Sequence, residues 1–397
     1  MNKGAFYTGQ YRNVFAELGY DEHEIEARKN AIFQTLFYGD EDERLYHPVG
    51  EGMANFEDTG NHDARTEGMS YAMMFCVQLD KKAEFDRLWR WARTYMYLTD
   101  GPNAGYFAWS CGLDGTKNAQ GAAPDGEEYF AMALLFAANR WGCGEGILDY
   151  RAEARALLHT CLHKGENGGP GRAMWDPENH LIRFIAEADF SDPSYHLPHF
   201  YALFALWADE ADRPFWRSAA AASRAYLKKV CHPVTGLCAE YADYEGKPQI
   251  TPPDKFGGRH DWYYSDAYRT IANIALDAVW FGGDAWSGQE AARLQAFFCG
   301  TVCGNDRGIY EVDGTLLPGR AMHPVAMTAT NAEASLAAPA GPNAEECVRR
   351  FWDTPLRTGP RRYYDNCLYL FAFLALSGSY RIYIPKSAEG EVREDEQ

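Results

Sequence analysis

The chain has 397 residues, with 38 Lys plus Arg against 56 Asp plus Glu, a formal net charge of −18. Such an acidic surface repels nucleic acid and anionic membrane, and no basic block interrupts it, so neither is an expected partner. Apolar residues make up 46% of the chain, and 25 Tyr, 22 Phe and 11 Trp supply rings that pack a core and also stack on the apolar faces of sugars.

Residues 1–22 read as an irregular arm. The opening MNKGAFYTGQYRNVF has no apolar signal region, and no apolar run reaches membrane-spanning length, so a soluble, cytoplasmic protein is expected. Helical periodicity begins at Glu24, with Ile32, Phe33, Leu36 and Phe37 on one face, and stops at Gly39-Asp40. A Gly-, His- and Asn-rich loop follows over 45–62. The stretch NHDARTEGMSY then leads into an apolar run from Met69 to Val77, which predicts a buried helix over 66–78. Glu67 stands at its mouth. Burial disfavours a charged carboxylate and raises its pKa, the state that a general acid needs. The plainer reading is a first-turn Glu behind an Asp63 N-cap.

A partner helix at 82–97 carries Phe85, Leu88, Trp89, Ala92 and Met96 at helical spacing. The long Gly- and aromatic-rich loop 99–124 has the length and composition of a functional loop. Asp125 opens a helix over 125–141, and its partner covers 151–163. GENGGPGRAMWDPENHLIRFI reads as a turn-rich excursion with a short strand. In FSDPSYHLPHF and the residues after it, Asp192-Pro193 and Asp212-Pro214 look like starts of two helices. A second excursion spans 231–264. Ser265 caps a helix bearing Ala267, Ile271, Ile274 and Ala278, whose partner is 287–299. A hairpin is expected near GIYEVDGTLL, then helices at 325–338, 343–352 and 364–376. The tail 386–397 is charged and expected to be disordered.

Twelve helical segments joined alternately by short turns and long loops suggest six antiparallel hairpins closed into a ring, an all-α (α/α)6 barrel forming one catalytic domain over 1–385. An open α-solenoid is the runner-up, but no repeat is readable. The ten cysteines include no CxxC pair; CGTVC, with Cys299 and Cys303, comes nearest. They read as reduced core thiols, with no metal site and no cofactor implied. DDxxD-type metal motifs are absent, which sets aside the terpene cyclases and prenyltransferases that use a similar toroid.

Three acids stand at loop-to-helix junctions beside Tyr, Trp, Arg or Ser: Glu67, Asp125 in APDGEEYFA and Asp266 in YYSDAYR. Glycoside hydrolysis needs one protonated acid and one ionised carboxylate across the bond. RTEGMSYAM, GYFAWS…DGTKN…APDGEEYFA, FSDPSYHLPHF, YYSDAYR and RRYYDNCLYLFA, in this order from about Gly4 to Pro385, resemble glycoside hydrolase family 8. Within the family they resemble the branch that releases xylose from the reducing end of oligoxylans. The resemblance implies an (α/α)6 barrel and an inverting mechanism. It implies Glu67 as general acid, Asp266 as general base, and Asp125 as the acid that holds the sugar ring before the scissile bond. It implies Trp109 as a stacking ring, Tyr195 near the attacking water, and Arg269 as the residue that orients Asp266 or its neighbours. It further implies Tyr363 and Tyr364 as a sugar-contacting pair and His323 as the histidine that closes the cleft one sugar past the cut. The expected partner is a short xylooligosaccharide. The segments 246–259 and 300–322 depart from the family's pattern on the leaving-group side. Two alternatives stand beside this reading: an endo-acting hydrolase of xylan, β-glucan or chitosan, and a non-catalytic oligosaccharide-binding protein.

Overall fold

The computed structural model describes residues 3–251, 258–302 and 307–385. The expected tail at 386–397 lies outside the described residues, as do parts of the 246–259 and 300–322 segments.

Among the described residues, twelve helices have ten residues or more. They are α1 (Glu22–Tyr38), α2 (Thr66–Gln78), α3 (Lys82–Trp91), α4 (Pro124–Trp141), α5 (Tyr150–His163), α6 (Pro198–Trp207), α7 (Arg213–Val230), α8 (Tyr268–Asp277), α9 (Ala285–Ala296), α10 (Pro324–Glu333), α11 (Pro342–Asp353) and α12 (Arg362–Leu376). The even-numbered helices pack in a closed cycle: α2 on α4, α4 on α6, α6 on α8, α8 on α10, α10 on α12, and α12 on α2. Each odd-numbered helix lies against one of them: α3 on α2, α5 on α4, α7 on α6, α9 on α8, α11 on α10 and α1 on α12.

Side-chain patterning explains this sorting. In α2 all but one residue is buried, and in α12 every residue is. A helix that is apolar all round must have neighbours on every side. In α7 the buried residues are Trp216, Ala219, Ala220, Ser223, Tyr226, Leu227 and Val230, a single stripe at three- and four-residue spacing. Such a helix can face water on its other side. Phe371 of α12 meets Phe75, Tyr71 and Tyr129, with ring centroids 4.5, 5.0 and 5.6 Å away, and so joins α12, α2 and α4 at the centre. A buried ring of this kind contributes about 1.5–3 kcal/mol by area alone.

Two small antiparallel sheets lie among the loops. β1 (Tyr46–Val49), β2 (Met53–Asp58), β3 (Asp63–Arg65) and β4 (Ser110–Gly112) pair in sequence order. The expected loop at 45–62 is therefore largely sheet. Its strands have no alternating pattern, and β3 needs β4, which comes from the far side of α2 and α3. β5 (Trp262–Tyr263), β6 (Ile309–Glu311) and β7 (Leu316–Leu317) form the second sheet, and β6 with β7 is the expected hairpin. The excursion near 175 contributes one bridge, Trp175 with Ile182. The arm at 1–22 holds two short helical turns, Ala5–Thr8 and Val14–Glu17.

Several helix starts differ from the sequence expectation. Asp63 does not cap α2: the N-cap is Arg65, without a side-chain bond, and Asp63 is drawn into β3 by Ser110 and Arg65. Asp192 caps a single turn at 193–195 rather than α6, which starts at Pro198. Ser265 makes no capping bond. Asp212 precedes α7 but turns its carboxylate away from the helix. Among the described residues no helix is long and apolar enough to cross a membrane.

Candidate active site

The site grows from the start of α2. Arg65 ends β3, the Thr66 N–H donates to the Trp109 carbonyl at 3.0 Å, and the chain turns into the helix with Glu67 in its first turn. Two glycines let other elements close on this turn. A Cβ at Gly68 would lie 2.5 Å from the Tyr363 hydroxyl, and one at Gly126 would collide with Thr66. Tyr363 therefore reaches Glu67 Oε1 and donates to it at 2.8 Å.

Across the cavity the chain runs from β5 into a single turn, Ser265–Ala267, and then into α8. Ser265 has φ of 35°, a left-handed conformation that costs a non-glycine residue about 1–3 kcal/mol. It sets Asp266 at the cavity edge, with 30% of its side chain exposed. Three residues later Arg269 points inward, buried, and gathers acids from four separate segments. Nη1 donates to Glu67 Oε2 and Asp125 Oδ2, both at 3.0 Å, and to the Tyr71 hydroxyl at 2.7 Å. Nη2 lies 3.3 Å from Asp266 Oδ1 and 4.0 Å from Asp192 Oδ2. The rings of Tyr195 and Tyr364 flank the guanidinium at 5.5 and 5.8 Å.

One guanidinium cannot offset four carboxylates, so part of the group keeps protons. Burial pushes Glu67 up to about 8; Arg269 opposes this, while Asp125 and Asp266 reinforce it. The positive end of α2 favours the ionised form, and burial outweighs it. Burial also raises Asp125 against the pull of Arg269, and it raises Asp192 well above the carboxylate range with Asp266 adding to it.

These side chains open on a cavity of about 800 Å³. Glu67, Trp109, Asp125, Tyr195, Asp266, Arg269, His323, Tyr363 and Tyr364 all line it, so the structure brings every candidate residue of the sequence analysis into one place. Trp109 shows 39% of its surface there, with Arg65 behind its ring at 5.2 Å. His323 stands on another wall, its ring 4.8 Å from Tyr364. Its Nδ1 is 2.9 Å from Asp365 Oδ2, and Asp365 also pairs with Arg357 and accepts the Ala326 N–H at 2.9 Å. A histidine so held keeps its orientation.

Two acids were missed. Asp192 reads as a cap, and one oxygen does cap Ser194, but the other reaches toward Arg269. Glu240 carries no spacing signal at all. It lines the cavity, burial pushes it up to about 7, and His260 and Trp262 Nε1 hold its Oε2 at 3.1 and 2.8 Å. Of the cavity carboxylates, Glu67, Asp125 and Asp266 are committed to Arg269, Asp58 to Arg65, and Glu240 to His260 and Trp262. Ligand atoms close enough to share an ion converge instead, among the described residues, at His159, His163 and Asp212, outside the cavity.

The model of glycosyl hydrolases family 8 matches residues 50–378. The reducing end xylose-releasing exo-oligoxylanase of Halalkalibacterium halodurans is 55% identical over 390 residues, 98% of each chain. The reducing-end xylose-releasing exo-oligoxylanase Rex8A of Paenibacillus barcinonensis is 57% identical, covering 96% of this chain and 99% of that one. The structure of Rex8A complexed with xylose superposes with a TM-score of 0.93 at 56% identity, over 96% of this chain and all of the other.

Proposed function

The chain belongs to glycoside hydrolase family 8, and from that premise we propose that it is an inverting hydrolase releasing xylose from the reducing end of short β-1,4-xylooligosaccharides. In this reading Glu67 protonates the glycosidic oxygen. Asp266 deprotonates a water that attacks the anomeric carbon from the opposite face. Asp125 holds the sugar before the cut, Tyr195 borders the attacking water, and Trp109, Tyr363 and Tyr364 contact sugar rings. His323 closes the cleft one sugar past the cut.

The observation that carries the reading is the contrast between two acids on one guanidinium. Glu67 is largely enclosed, its side chain 16% exposed and its carboxyl pushed up to about 8, while Asp266 is 30% exposed on the far nitrogen of Arg269. Inversion needs carboxylates about 6.5–9.5 Å apart, leaving room for a water. Glu67 Oε2 and Asp266 Oδ1 lie 3.0 and 3.3 Å from opposite nitrogens of the same guanidinium, so two carboxylates from separate segments stand beside one cavity. The fixed hydrogen-bonding of His323 supports exo action, because an end-blocking group must not swing aside. The closed cycle of even-numbered helices, backed by the odd-numbered ones, supports an (α/α)6 barrel and a single catalytic domain over 1–385. The nine cysteines among the described residues are free thiols, which suits the reducing cytoplasm.

Xylotriose labelled at its reducing end tests the proposal. The expected products are labelled xylose and unlabelled xylobiose whose new reducing end has the inverted anomeric configuration. Label retained in xylobiose would refute reducing-end release.

A further inference from the structure

We propose that His159, His163 and Asp212 form a binding site for one transition-metal dication of the zinc type, on the outer layer of helices and away from the cavity. The two histidines are one turn apart on α5, so their rings share a face, with centroids 4.3 Å apart. A pair at this spacing on a helix can bind one metal ion. Asp212 comes to them from the turn before α7. Its carboxylate is buried, yet it does not cap the helix that follows. It faces the imidazoles instead: Oδ1 is 2.8 Å from His163 Nε2 and Oδ2 is 3.5 Å from His159 Nδ1.

The spacing suits a small ion. Tetrahedral zinc with bonds of about 2.0–2.2 Å sets neighbouring ligand atoms about 3.4 Å apart. The 3.5 Å separation matches that value, the 2.8 Å one is a hydrogen bond that a bound ion would replace, and the candidate ligand atoms of all three residues fall within 4.8 Å of one another.

A further group completes the arrangement. His163 Nδ1 lies 2.7 Å from Glu166 Oε1. A metal-ligating histidine commonly donates its other ring N–H to a carboxylate, which fixes the tautomer and raises ligand basicity. Glu166 is placed to do this for His163, leaving Nε2 for the ion. Two imidazoles with one carboxylate select zinc, nickel or copper over magnesium and calcium, which favour oxygen ligands. The bound ion ties α5 to the turn that starts α7, so its expected effect is on stability, not on the chemistry in the cavity.

Titration of the untagged full chain with zinc chloride, followed by calorimetry and thermal unfolding, tests the site. One ion per chain is expected. At a free zinc concentration one hundred times the dissociation constant, Tm should rise by about 2 °C or more. Magnesium chloride should leave Tm unchanged. His159→Ala removes a side chain that is 58% exposed, so the fold should survive, as circular dichroism and xylotriose hydrolysis would confirm. Affinity for zinc in that variant should fall at least about tenfold. Glu166→Gln should weaken binding by a smaller factor. The proposal is overturned if zinc fails to bind below about 100 µM, or if His159→Ala binds it as tightly as the parent chain, which would assign the ion to thiols or cavity acids.

Discussion

The start of α2 and the turn before α8 place a carboxylate on either side of one guanidinium, and they do so in opposite ways. Glu67 sits in the first turn of a helix buried on all sides, and its oxygens are spent on Arg269 and Tyr363. Asp266 sits on a strained turn at the cavity edge, partly in solvent, with Oδ1 3.3 Å from the outer nitrogen of Arg269. The two groups have the same chemistry, and burial separates them. A desolvated carboxyl holds its proton near neutral pH and can give it away; a carboxylate in contact with water can activate that water.

The sharpest way to break this comparison is to remove either acid. Glu67→Gln and Asp266→Asn are each expected to lower kcat/KM on xylotriose by about 10²–10⁴-fold, with folding retained by circular dichroism. Unchanged hydrolysis in either variant removes that residue from its proposed role. Removing the shared cation comes next. Arg269→Met leaves the buried Asp125 and Asp192 and the half-buried Glu67 without their counter-charge, and urea unfolding should report a loss of about 3–5 kcal/mol.

The pH profile sharpens the comparison further. With Glu67 pushed up to about 8, kcat/KM should fall on the alkaline side near that pH. Tyr363 donates to the ionised form and holds the pKa down, so Tyr363→Phe should move this limb to higher pH. Asp125 repels the ionised form, so Asp125→Asn should move it to lower pH, read as a shift even where the rate itself is reduced. The smallest expected effect is on stability. Because the folded-state pKa of Glu67 lies above its unfolded value, the contribution is present at acidic pH below the ordinary Glu range and is lost as pH rises through about 8. Glu67→Gln should flatten the fall in Tm across that window.

Much of the site was legible because helix-start acids beside aromatic clusters are visible in sequence: Glu67, Asp125 and Asp266 each stand at such a junction. Asp192 was half legible. Its capping oxygen follows from the Asp-Pro pair, but its second oxygen meets Arg269 only after α6 and α8 pack together. Glu240 was not legible, since its partners His260 and Trp262 lie about twenty residues on, and no periodicity joins them.

The sequence by itself determined the twelve helices and that the one at 66–78 is enclosed, because a helix that is apolar all round can be satisfied only by neighbours on every side. It also determined which acids stand at helix starts. Tertiary structure alone decided that Arg269 collects four acids, that Asp63 joins a strand instead of capping α2, and that Asp212 faces two histidines. The reason is physical. Helix periodicity is local, whereas the charge state of a carboxyl depends on the water it has lost and on the charges brought beside it from distant parts of the chain.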